Sequence, residues 1–142
     1  MKNFLLFKID SDTPFRIALW DYDHSFGRDG DNELNFLENL VDCDRSVLLK
    51  RLMDIPGSDY PARLKNRWFN LRSSEIISFG RIKKMIDEND RIIRDETIKN
   101  AQIWPLDSDW YFDDSSYVAE VRLILDFIDF RIEQLDEYFR SL

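Results

Sequence analysis

The chain has one cysteine, Cys43, and one histidine, His24, in 142 residues. A lone cysteine excludes an intrachain disulfide and any zinc or iron–sulfur centre built from cysteine ligands. His24 beside Asp23 offers one imidazole as a ligand, but with no second histidine to join it, it reads as an exposed loop residue. Positive charge is scarce as well: 20 basic residues stand against 28 acidic ones, a formal charge of -8. That balance argues against a nucleic-acid or anionic-membrane surface and favours cations, basic protein segments or metal-masked anions as partners. Long hydrophobic runs are missing. The start, "MKNFLLFKID", has only four consecutive apolar residues before Lys8, too few for a signal-peptide core, and no later stretch approaches a membrane span. The expectation is a soluble chain without a targeting signal, compatible with a reducing cytoplasm but not assigned to it. Only four glycines and four prolines occur, with no repeat, low-complexity run or flexible linker.

What is present is a 44% hydrophobic composition, enough for one domain, residues 1–142, that buries about 68–70% of its unfolded surface. "NFLLFKI" and "FRIALW" are short runs of β-branched, aromatic and aliphatic residues separated by the turn formers of "DSDTP", which predicts a β-hairpin. An acidic loop follows, and at about Asn32 the pattern changes to helical spacing. Leu34, Leu37 and Val41 suit a short helix. "RSVLLKRLMD", behind Asp44 as an acidic N-cap, suits a second. In "GSDYPARLKNRWFNLRSS", Pro61 fits a first turn, with Leu64, Trp68 and Leu71 on one face.

A longer helix is predicted from about Ser74 to Ile103, carrying Phe79, Ile82, Met85, Ile86, Ile92 and Ile93, with Gly80 a weak point and Asn89 an interruption. The final segment has the cleanest stripe: Tyr117, Val121, Ile124, Leu125, Ile128, Ile132, Leu135 and Phe139 share a face, and Glu120, Asp126, Asp129, Glu133 and Asp136 lie elsewhere. The fold class is therefore α+β and mostly α: an N-terminal β-hairpin, an acidic loop of metal-binding type, and four to five packed helices.

The loop "DYDHSFGRDGDNE" raises the functional question. A strand that ends directly in Asp-x-Asp holds two carboxylates, Asp21 and Asp23, on a rigid support where oxygen ligands can meet a hard cation such as Mg²⁺. Two carboxylates so close repel each other, and a bound cation removes that cost. Gly27 and Gly30 permit a sharp turn behind them. The pair taken alone reads first as a solvated turn with an aspartate cap. A calcium-binding EF-hand loop starting at Asp21 fails, because its sixth and twelfth positions would be Phe26 and Asn32 rather than glycine and glutamate. The segment "DYDHS" also resembles the motif of haloacid-dehalogenase-like phosphatases, which would make Asp21 a nucleophile and Asp23 the acid/base. That fold needs repeated strand–helix units, and none follow Asn32.

"ALWDYDHSFG" resembles the Trp-Asp-x-Asp-x-(Ser/Thr)-Phe-Gly segment of the CotH kinase family, atypical kinases related to a spore-coat protein. "KNFLLFK", "LLKRLMD", "YPARLKNRWFNLRSS", "IKKMIDENDRIIRDETIKNAQIW" and "FIDFRIEQLDEYF" follow the same family's order, so the likeness covers nearly the whole chain. The resemblance implies a kinase-like C-terminal lobe whose family activity is Mg-ATP-dependent phosphorylation of protein Ser/Thr. It makes Asp21 the metal ligand that meets the phosphates of ATP, and Asp23 a second acid on or near the same metal. Asn3 matches the asparagine that ends a kinase catalytic loop and supplies a further metal and nucleotide contact. The catalytic aspartate of that pattern stands five residues before the asparagine, which falls upstream of Met1. A glycine-rich phosphate loop and a lysine-bearing strand are likewise not found within these residues. The expectation is a truncated C-terminal lobe, inactive alone, whose partner is a missing N-terminal lobe or another protein. Two alternatives stay open beside it: a non-catalytic remnant or interaction module, and the phosphatase.

Asp10 and Asp12 lie in the hairpin turn, after Asn3 and away from the strand ends near Asp21, and do not replace the base. "DSDWYFDD" offers Asp107, Asp109, Asp113 and Asp114 beside Trp110 and Tyr111, either a dock for a basic peptide or a solvated loop pinned by its aromatics. Arg131, at the edge of the last helix's apolar face, calls for a structural ion pair. Trp20, Trp68 and Trp104 read as core.

Overall fold

The computed structural model describes residues 4–22, 25–27, 46–105 and 116–142. The predicted hairpin is there: β1 (Phe4–Phe7) pairs antiparallel with β2 (Arg16–Leu19), with Phe4 opposite Leu19 and Phe7 opposite Arg16. Its turn is organised by Asp10, whose Oδ1 accepts the backbone N–H groups of Asp12 and Thr13, both at 2.9 Å. An aspartate in this role closes its own turn locally, which is why "DSDTP" reverses the chain. Lys8 donates to the Ser11 carbonyl at 2.6 Å and lies over the Phe15 ring at 5.4 Å.

Four helices follow among the described residues: α1 (Val47–Asp54), α2 (Tyr60–Ser73), α3 (Phe79–Ile103) and α4 (Tyr117–Ser141). The proposed helix around Leu34, Leu37 and Val41 lies outside the described residues. The N-cap of α1 is Ser46, not Asp44. Ser46 takes the extended backbone of a cap, and its Oγ accepts the Leu49 N–H at 3.3 Å. Gly57, at φ +78°, makes the turn into α2, where Pro61 sits in the first turn as expected.

The third helix begins at Phe79 rather than near Ser74. Glu75 adopts a left-handed backbone, φ +56°, a conformation that ends helices and is normally given to glycine. Arg72 then reaches across the break and donates from Nη1 to the Ile77 carbonyl at 2.7 Å. Ser78 restarts the helix by accepting the Arg81 N–H at 3.2 Å.

The core sits on α4, which packs against both α2 and α3. Phe127, Ile128 and Ile132 are buried against Phe79, Ile82, Ile86 and Ile124. Each such side chain contributes about 1.5–3 kcal/mol relative to exposure, so this seam dominates the fold's cohesion. On the α2 side, Trp68 stacks on Phe139 with ring centroids 4.7 Å apart. Lys65 donates to the Arg140 carbonyl at 2.7 Å, satisfying one of the unpaired carbonyls at the end of α4.

Of the three tryptophans expected inside, only Trp68 is buried, at 8% exposure. Trp20 and Trp104 are exposed, at 67% and 71%. Both fall where no described helix packs. The hairpin meets none of the four helices, so Phe4, Leu6, Ile17 and Leu19 also remain largely open. In α3, Phe79, Ile82 and Ile86 pack as predicted, whereas Met85, Ile92 and Ile93 are exposed. Met85 and Ile92 lie off the inward face. Ile93 lies past Asp90, which is level with the first residue of α4, so the partner helix is already behind it.

Candidate functional site

The strand β2 delivers Trp20 and then Asp21 at its end. Asp21 is exposed and takes a left-handed backbone, φ +59°. This region costs an L-residue about 1–2 kcal/mol, and aspartate is among the few side chains found there repeatedly. The chain then folds back: the Ser25 N–H donates to the Tyr22 carbonyl at 3.1 Å, and Gly27 is buried with φ +93°. Any side chain at 27 would meet both the backbone strain and the burial, so glycine is what the turn requires. Asp21 thus stands between a paired strand and a tight turn, with its backbone direction set on both sides.

Carboxylate oxygen is suitable chemistry for a hard cation, and Asp21 is the one predicted ligand among the described residues. Asn3 and Asp23, the other two, lie outside them, as do His24 and the acidic residues of "DSDWYFDD". Among the described residues no group of three or more His, Cys, Asp or Glu side chains is arranged to hold a metal. Ser25 is exposed and commits its N–H to the turn. Asp10 is committed to the hairpin turn through its carboxylate.

Two polar constellations were not anticipated from the pattern. Asp136, expected on the outer side of the last helix, lies at the edge of its inward face, where its carboxylate accepts Trp68 Nε1–H at 2.7 Å and Arg72 Nε–H at 3.1 Å through Oδ1. Its Oδ2 accepts Arg72 Nη2–H at 3.1 Å. Desolvation pushes this carboxyl up, but the hydrogen bonds from Arg72 and Trp68 act against it and hold the net value below the usual carboxylate range. Asp136 follows the buried Ile132 by one turn, a spacing that marks it as inward.

Asp90 stands one turn after Ile86 in the same way. It accepts the Tyr117 hydroxyl at 2.9 Å and pairs with Arg94. The Arg94 hydrogen bond lowers its carboxyl most, against desolvation, with Tyr117 adding to the lowering. Arg131 is half-buried, its guanidinium 4.9 Å over the Phe127 ring, and burial lowers its pKa. Asp136 and Asp90 join helix to helix, whereas Arg131 and Phe127 share α4, and all of these groups are remote in sequence from Asp21.

The sequence matches the family described as CotH kinase protein over residues 1–135, nearly the full length and including the Asp21 turn. The chain belongs to the CotH kinase family. No curated protein and no solved structure matches it. Membership makes this a kinase-like protein and agrees with an aspartate just past a strand and followed by helices. The phosphatase reading finds no such agreement: among the described residues α1 to α4 follow one another without an intervening strand, whereas that fold alternates strands and helices. No helix among the described residues is long and apolar enough to cross a membrane.

Proposed function

We propose that this CotH-family chain is the metal-binding part of a phosphoryl-transfer site, in which Asp21 holds Mg²⁺ against the phosphates of ATP for transfer to a protein Ser/Thr hydroxyl. The observation that carries the reading is the posture of Asp21: a carboxylate held in left-handed backbone two residues past a paired strand, within the family's motif. Backbone strain of this kind is retained where a side chain must be aimed. Asp23 and Asn3 complete the proposed ligand set, with Asn3 and Asp21 also on the nucleotide. The bound metal would neutralise charge on the transferring phosphoryl group.

The residues placed in this site hold metal and nucleotide and include no catalytic base, and the same proposal takes the chain to be inactive by itself. The partner in this proposal is an N-terminal lobe or another protein that covers the nucleotide. The exposed apolar hairpin supports that partnership, since two paired strands with both faces apolar are marginal in water without a covering layer. A basic protein substrate suits the charge of -8. The remnant alternative keeps the helices and dispenses with the metal.

The test is titration of the purified chain with Mn²⁺ as a paramagnetic stand-in for Mg²⁺, alongside transfer of labelled γ-phosphate from ATP. The reading expects binding at millimolar metal that Asp21→Ala abolishes, and no transfer. Absence of Asp21-dependent binding would leave the remnant. Transfer that Asp21→Ala removes would overturn the predicted inactivity.

A further inference from the structure

We draw no further inference here: the strongest candidate, the end of α3 beyond the start of α4, where Ile92, Ile98, Ile103 and Trp104 are exposed, is an unpartnered apolar face and nothing in the structure shows what covers it.

Discussion

Replacing Asp136 by alanine removes a carboxylate that three donors share, and the cost follows from what is left behind. The Trp68 indole N–H loses its acceptor at 2.7 Å, and the Arg72 guanidinium loses both of its contacts at 3.1 Å. Removing one partner of a fully buried, hydrogen-bonded pair costs about 3–5 kcal/mol. Here the two side chains keep 16% and 27% exposure, and Arg72 retains its bond to the Ile77 carbonyl, so water and that carbonyl recover part of the loss. The expected destabilisation is about 2–3 kcal/mol, which lowers the melting temperature by roughly 5–10 °C for a chain of this size.

Asp136→Asn keeps an acceptor for Trp68 but not the charge facing Arg72, so it should cost about half as much. Urea unfolding followed by tryptophan fluorescence and far-ultraviolet circular dichroism measures both. An alanine variant within about 0.5 kcal/mol of the parent would refute the argument, because surface substitutions fall in that range. Equal losses for asparagine and alanine would show that the Trp68 hydrogen bond contributes nothing.

The acid response of the same group has a fixed sign. The folded carboxyl titrates below its unfolded value, so its stabilisation is complete above the unfolded pKa of about 3.9. It is lost as pH falls through the lower folded value. Asp136→Asn should therefore flatten the parent's loss of stability in that window while lowering stability at neutral pH.

In the α3–α4 seam, Ile128→Ala opens a cavity at a position only 4% exposed and should cost about 3 kcal/mol in the same unfolding assay, while Ile92→Ala at the exposed end of α3 should change stability by less than about 0.5 kcal/mol. Ser116→Ala deletes the cap that accepts the Ala119 N–H at 3.3 Å and should cost about 1 kcal/mol, measured as a lower denaturation midpoint. Tyr117→Phe removes the hydroxyl that Asp90 accepts, and hydrogen exchange should quicken at the first turn of α4 with little change near Ile128.

The parts of the fold written in periodicity were readable in advance. Phe79, Ile82 and Ile86 on α3 and Ile128, Ile132 and Phe139 on α4 follow helical spacing and do pack. The failures come from features that spacing does not encode. Glu75 enters the left-handed region although nothing in "SSEIIS" distinguishes it from a helical glutamate, and the third helix starts five residues later than its pattern. Trp20 and Trp104 are hydrophobic by type but lie where no described element packs, and type alone does not create a neighbour. Asp136 and Asp90 follow inward residues by one turn, and so the pattern did hold their positions. A reading that sorts aspartates to the outside misses them, because a carboxylate can stay inside once Arg72 and Trp68, or Arg94 and Tyr117, satisfy it.

At the candidate site the chemistry was legible and the geometry was not. "WDYDHSFG" identifies the carboxylates, but the left-handed backbone of Asp21 is visible only in three dimensions. That backbone separates two explanations of the residue. If position 21 matters only as a turn, glycine should serve it at least as well as aspartate, since glycine enters the left-handed region without the steric cost of about 1–2 kcal/mol. If the proposed metal site is correct, Asp21→Gly and Asp21→Ala should lose Mn²⁺ binding equally, because both lack the carboxylate. They should differ in stability, with the alanine variant lower by about 1 kcal/mol because it alone combines a Cβ with the strained backbone. Retained binding in the glycine variant would remove the carboxylate from the site. Equal stability of the two variants would show that the strain at Asp21 is not a property of the folded chain in solution.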